Sequence, residues 1–200
     1  MADQKISAMP SAATPLTGAE LVPLVQSGAN VQSTLANFEA YSRSTYGNYG
    51  GFQSTATQTG STTAGTPITF NQVDYGSNGI TLAANSRITA AKAGDYNLQW
   101  SAQFSSLDND PKNIWVWLRI NGTDVVGSTG FIGLPARKNP ADPFHSIVGW
   151  NFFITLTAGQ YVEIVWLKEA DTITVPAYSG SVSPAYPSTA SVVVTMNQVG

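Results

Sequence analysis

Apolar and polar residues alternate along the last two thirds of the chain. In residues 95–105 every second side chain is apolar and those between are polar, which is the pattern of a strand with one buried and one wet face. Residues 113–120 alternate similarly and run into Asn121-Gly122, a dipeptide typical of a tight hairpin turn. About eight to ten such strands, with no helical period, predict an all-β domain over residues 66–200, built as a two-sheet sandwich.

Residues 1–42, here called the arm, have a different pattern. Residues 20–26 are β-prone, 27–30 have turn chemistry and 31–35 can return as a second strand, after which Thr34 can cap a helix from Leu35 to about Ser42.

A lone hairpin is marginal in water. The apolar residues of the arm are therefore expected to dock on a partner; the alternative is that they fold back on the main domain. The candidate anchoring residues are Ile6, Leu21, Val22, Leu24, Val25, Val31, Leu35 and Phe38.

Residues 43–65 are rich in glycine, serine, threonine and glutamine and show no apolar period. This composition predicts a flexible linker, which as a random coil would span about 25 Å. The predicted order is thus arm, linker and sandwich.

Several predicted strands carry large apolar residues on the face that should be wet. Monomers rarely expose large contiguous apolar patches, so these side chains are predicted to form contacts between copies of the chain. The alternative is that loops such as 131–145 cover them within one chain. The candidate contact residues are Trp115, Trp117, Phe153, Val165 and Leu167.

Composition narrows the range of functions. Of the 200 residues 10% are charged, the formal net charge is −3 and there is no cysteine. A chain with so few cations neutralises few phosphates, so nucleic-acid binding is not expected, and the lack of cysteine excludes disulfides and thiolate metal sites. No apolar run approaches the roughly 20 residues of a membrane-spanning helix, and the N-terminus lacks the pattern of a secretory signal. We expect no membrane partner.

Residues suited to catalysis are sparse. His145 is the only histidine, and no Gly-x-Ser-x-Gly sequence supplies an activated serine. Asp108 and Asp110 fit a plain turn better than a calcium site, because no twelve-residue loop with a closing glutamate follows. No pair of carboxylates can be assigned to glycoside hydrolysis. We expect neither enzymatic activity nor a metal or cofactor.

Four stretches of the predicted all-β domain resemble the C1q/tumour-necrosis-factor-like jelly roll found at the C-terminal end of bacteriophage virion proteins. They are AGDYNLQWSAQF (93–104), IWVWLRINGTDV (114–125), WNFFITLTAGQYVEIVWL (150–167) and PSTASVVVTMNQVG (187–200). The turn at 158–160 reads Ala-Gly-Gln where the family has a Gly-Asp-like turn. The resemblance implies a jelly-roll fold and a homotrimer packed around a three-fold axis. Residues 5–38 also resemble a leader that attaches phage fibre, spike and decoration proteins to the particle.

The resemblance implies a structural protein of a virion, assembled in the host cytoplasm. Residues 1–42 would bind the major capsid protein or another virion protein. We favour a capsid decoration (cement) protein or the knob of a head fibre, because 200 residues leave no room for the long shaft of a tail fibre. The alternative function is a tail fibre or receptor-binding knob that recognises a host surface glycan.

Overall fold

The computed structural model of the chain describes residues 15–200, with the side chains of residues 43–46 excepted. It divides into two compact units, one ending at Thr45 and the other running from Tyr46 to Gly200. We keep the name arm for the first unit and call the second the β domain. The β domain therefore begins about twenty residues earlier than the sequence predicts.

The arm consists of an antiparallel hairpin followed by a helix. Its strands are β1 (Leu21–Gln26) and β2 (Ala29–Thr34), and its helix is α1 (Leu35–Tyr46). Ser27 and Gly28 both have positive φ (52° and 80°), which is the geometry of the tight turn that suits the twist of a hairpin. The Thr34 hydroxyl accepts a hydrogen bond from the backbone N–H of Asn37 (3.2 Å) and so caps the helix as predicted. The helix ends four residues later than predicted.

The β domain contains fifteen strands, from long core strands to two-residue pairs. They are β3 (Tyr49–Ser54), β4 (Thr66–Pro67), β5 (Gln72–Asn78), β6 (Ile80–Ala83), β7 (Arg87–Ala90), β8 (Gly94–Ser106), β9 (Lys112–Ile120), β10 (Thr123–Asp124), β11 (Gly130–Leu134), β12 (Phe144–Leu156), β13 (Tyr161–Lys168), β14 (Ile173–Thr174), β15 (Ser181–Val182), β16 (Ala185–Tyr186) and β17 (Val192–Gln198).

Two antiparallel sheets make up most of this domain. The six-stranded sheet has the order β12-β8-β17-β3-β5, with β14 beside β8. The seven-stranded sheet has the order β10-β9-β13-β7-β6, with β11 beside β9 and β4 beside β13. The prediction of an all-β fold is confirmed.

One apolar core lies between the two sheets. The apolar side chains of β8 alternate into it as predicted, and those of β9 and β13 enter from the other side. Phe104 of β8 and Trp166 of β13 meet edge to face with their ring centroids 5.6 Å apart, so the two sheets touch directly.

The predicted flexible linker is wrong for residues 49–54, which form β3 in the interior of the six-stranded sheet, between β17 and β5. Phe52 is only 1% exposed. Gly50 packs so closely that a Cβ there would lie 2.9 Å from Ile80 Cγ2. Small residues allow this close approach but leave no apolar period in the sequence. For this reason the composition predicts a linker where the structure has a strand.

The rest of the predicted linker is also attached to the β domain. Gln58 forms a backbone bridge with Val175, and Gly60 lies against the indole of Trp166. At the other end, the Gly47 carbonyl accepts a hydrogen bond from the Asn78 amide (2.9 Å), and the buried Asn48 accepts one from the backbone of Gln198 (2.8 Å). Residues 47–65 are thus part of the β domain, whereas residues 43–46 form the end of α1.

Candidate functional site

The arm carries a row of apolar side chains, most of them candidates from the sequence. Leu21, Val25, Val31 and Phe38 are exposed, whereas Val22, Leu24 and Leu35 are half-buried; Ile6 lies outside the described residues. No residue between 15 and 42 is buried. The arm therefore has no core of its own, which is an unusual state for a folded element.

An open groove of about 320 Å³ separates the hairpin from the helix, with Leu24, Val31 and Phe38 in its walls. The turn before β1 is held by Glu20, whose carboxylate accepts hydrogen bonds from the backbone N–H groups of Thr17 and Gly18 (both 2.7 Å). These bonds, led by the one from Thr17, lower the pKa of Glu20 to about 2. The groove is open at the surface, and Glu20 of the turn is half-buried.

Three of the five predicted contact residues lie together on the outer face of the seven-stranded sheet. Trp115 and Trp117 project from β9, and Leu167 of β13 is paired with Trp115. All three are half-buried. Val165 was wrongly predicted to be a surface contact: it is 0% exposed, because Pro67 of β4 pairs with it and Gly65 lies over it.

Beside these tryptophans lies an open depression of about 490 Å³, which we call the tryptophan depression. Its lining includes both indoles, Leu167, Asp124, Val126 and Thr129. The carboxylate Oδ1 of Asp124 accepts hydrogen bonds from Trp117 Nε1 and from Arg119 Nε, both at 2.8 Å. The bond from Arg119, followed by that from Trp117, holds the pKa of the Asp124 carboxyl below its ordinary value of 3.8.

Phe153, the fifth predicted contact residue, lies on the other sheet. It projects from the outer face of β12 and is 72% exposed, and Ile147 on the same face of that strand is 73% exposed. The predicted residues therefore do not form one patch but belong to two opposite outer faces. The prediction does not include Ile147, because apolar and polar residues alternate recognisably only in residues 150–156 and not in the first half of β12.

The outer face of the six-stranded sheet is almost free of charge. Apart from Asp95 near one end of β8, the outward positions of its four long neighbouring strands carry no Asp, Glu, Lys or Arg. These positions are His145, Ile147, Gly149, Asn151 and Phe153 on β12; Asn97, Gln99, Ser101, Gln103 and Ser105 on β8; Val193, Thr195 and Asn197 on β17; and Tyr49, Gly51 and Gln53 on β3. The outer face of the seven-stranded sheet, by contrast, carries Arg119 and Asp124.

Two candidate catalytic or metal-binding residues from the sequence, His145 and Asp108, are hydrogen-bonded within the β domain. His145 Nδ1 lies 3.2 Å from the hydroxyl of Tyr178. Asp108 Oδ1 accepts a bond from the backbone of Asp110 (3.1 Å), the leading cause of a lowered pKa of Asp108, and Oδ2 accepts one from Thr172 (3.0 Å). Within residues 15–200 no three His, Asp or Glu side chains are grouped so as to hold a metal ion. None of the helices described is both long and apolar enough to cross a membrane.

Sequence reasoning missed the residues that fix the tryptophans in place. Asp124 could have been found, because the Asn121-Gly122 turn sets the register that pairs it with Arg119. Gly65 could not, because its contact with Trp117 joins positions far apart in the chain and carries no local signal.

No protein-family model matches the chain, and no curated protein matches it either. Three surfaces described above are therefore the basis for a functional proposal. They are the arm, the uncharged outer face of the six-stranded sheet and the tryptophan depression.

Proposed function

We propose that this chain is a structural protein of a bacteriophage particle. It assembles as a homotrimer through the β domain and attaches through the arm to the major capsid protein or another virion protein. Its role is that of a capsid decoration or cement protein, or the knob of a head fibre. The virion context comes from the resemblance of the sequence to phage proteins, and the surfaces support a role based on attachment.

The strand order supports a jelly roll of the C1q/tumour-necrosis-factor-like type. The long strands β8, β9, β12, β13 and β17 fall alternately in the six-stranded and the seven-stranded sheet. A chain that crosses repeatedly between two facing antiparallel sheets is what a jelly roll requires. This order agrees with the family resemblance of the four sequence stretches.

The observation that carries the proposal is the construction of the arm. A hairpin and a helix with no buried residue between positions 15 and 42 gain little free energy from their own packing. Burial of the exposed Leu21, Val25 and Phe38 against another protein would supply this free energy. An element of this kind fits an attachment device, which is stabilised when it is seated on another protein.

The outer face of the six-stranded sheet is our candidate for the trimer contact. Interface cores are depleted in charged residues, and this face has amides, hydroxyls and glycines with Ile147 and Phe153 at its margin. Its edge strand β12 is thirteen residues long and has neither a lysine nor a proline to discourage pairing. We therefore assign the three-fold contact to this face and no longer to Trp115, Trp117 and Leu167.

Counting copies on purified particles tests the location. Tens to hundreds of copies per particle support decoration of the capsid, whereas a handful support the tail alternative. Attachment is tested with Val25→Ser in the arm, and Val182→Ser, at another exposed valine in the β domain, is the matched control. We expect Val25→Ser to weaken binding to particles that lack the protein and Val182→Ser to leave it unchanged. Equal binding by both variants would contradict attachment through the arm.

A further inference from the structure

We propose that the tryptophan depression is a binding site for a neutral saccharide. It lies on the outer face of the seven-stranded sheet, and the sandwich separates it from the face that we assign to the trimer contact. The inference goes beyond the structural role proposed above and does not depend on the location of the protein on a particle.

The two indoles are held rigidly. A Cβ on Gly65 would lie 2.6 Å from Cη2 of Trp117 and would overlap Cζ2, so the loop backbone packs tightly on that ring. The other end of the ring is fixed by the bond from Nε1 to Asp124. Trp115 is supported by Phe131, whose ring meets it edge to face at 5.4 Å. A surface fixed in this way loses little conformational entropy when a flat ligand stacks on it.

A polar group is placed at the edge of this apolar surface. Oδ1 of Asp124 accepts from Trp117 and Arg119, whereas no described residue donates a hydrogen bond to Oδ2. The carboxylate is therefore oriented by the protein and has an oxygen left to accept from a ligand hydroxyl. The hydroxyl of Thr129 lines the same depression and can donate or accept.

These features together select the ligand class. A purely apolar partner would leave the carboxylate oxygen without a donor, which is costly once water is excluded. Asp124 and Arg119, 2.8 Å apart, form an ion pair without net charge, so the site favours neither an anion nor a cation. A neutral pyranose satisfies both parts of the site, because its C–H face stacks on an indole while its hydroxyls donate to the carboxylate.

The size and shape of the depression agree with a sugar unit within a longer chain. Its volume of about 490 Å³ falls within the range of ligand sites in proteins. It is open at the surface, so one unit of a longer glycan has access to it. Val126, which is 99% exposed, stands at the rim, where it can contact a neighbouring sugar.

The test uses the full-length protein and four neutral oligosaccharides: maltotriose, cellotriose, tri-N-acetylchitotriose and β-1,4-galactobiose. Binding is measured by saturation-transfer NMR and by the change in tryptophan fluorescence, for the wild type, Trp117→Ala, Asp124→Asn and the control Val182→Ala, at a side chain that is 95% exposed and lies outside the depression. We expect at least one probe to bind the wild type with a Kd of about 1 mM or below. We expect Trp117→Ala and Asp124→Asn each to weaken that binding about tenfold or more, because each removes one half of the site. Val182→Ala should bind as the wild type does.

Thermal unfolding of each variant separates loss of the site from loss of the fold. Asp124→Asn keeps the shape of the side chain, so it tests the site even if Trp117→Ala is unstable. No binding of any of the four probes at 20 mM, or equal binding by the wild type and Asp124→Asn, would overturn the inference. Neither result bears on trimer assembly or particle attachment, which are measured without sugar.

Discussion

Truncation of Phe153 to alanine is the most direct perturbation of the proposed trimer contact. Phe153 is 72% exposed in the single chain, so it contributes little to the fold of one subunit. In the trimer we expect it to be covered by a neighbouring copy. The substitution should therefore weaken assembly and leave the unfolding of the subunit unchanged.

The size of the effect follows from the exposed area. Full burial of a phenylalanine is worth up to about 3 kcal/mol, so burial of the 72% that is exposed is worth about 2 kcal/mol per subunit. Three copies per assembly give about 6 kcal/mol, or a factor of about 10⁴ in the trimer dissociation constant. Because that constant has the units of concentration squared, the midpoint of dissociation on dilution should rise about 100-fold.

Sedimentation velocity or mass photometry over a dilution series measures this midpoint. The control is Val126→Ala, which shortens a side chain that is 99% exposed on the β10–β11 connection of the opposite sheet. We expect the control to dissociate at the wild-type concentration. An unchanged midpoint in Phe153→Ala, or a monomeric wild type at all concentrations, would refute the assignment of this face.

Three further predictions concern the fold and the two charged turns. Phe52→Ala should lower the free energy of unfolding of the β domain by about 3–5 kcal/mol in urea titrations, because the ring is 1% exposed in β3; a loss below about 0.5 kcal/mol would mean that the segment is a linker after all. The bonds of Asp124 to Trp117 and Arg119 are complete above pH 3.8 and are lost as the pH falls below the depressed pKa, so tryptophan emission should change there in the wild type and not in Asp124→Asn. Glu20 stabilises its turn above pH 4.5 and ceases to do so as the pH falls through about 2, so the Thr17 amide resonance should titrate in that window, and Glu20→Gln should show no such transition.

The sequence predicts the strands that alternate strongly and fails where small residues replace the alternation. Residues 95–105 carry an apolar residue at every second position, and the structure has β8 there. In β3 the inward positions include Gly50 and Ser54 beside Phe52, so a central strand has the composition of a linker. Its position depends on close backbone packing between distant segments, which no local pattern records.

The candidate site was predicted in part for a similar reason. Alternation correctly places Trp115 and Trp117 on the outer face of β9, but it carries no information about what lies over a neighbouring strand. Gly65, which lies over Val165, comes from the segment that the composition predicts to be a linker, so the two wrong predictions are connected. The outer face of the six-stranded sheet cannot be recognised from the sequence alone. It is distinguished by a lack of charged residues on four strands, and these positions come together only when the register of the strands is known.

The short connection between α1 and β3 has a mechanical consequence. Only Gly47 and Asn48 separate the helix from the strand, and both are hydrogen-bonded to the β domain. Tension applied to a seated arm along the chain therefore passes at once into a strand that is bonded to β17 on one side and β5 on the other. Under a pull along β3 the flanking bonds lie across the force and share the load, so if the arm is attached as proposed, tension on it would load the six-stranded sheet directly and not a slack tether.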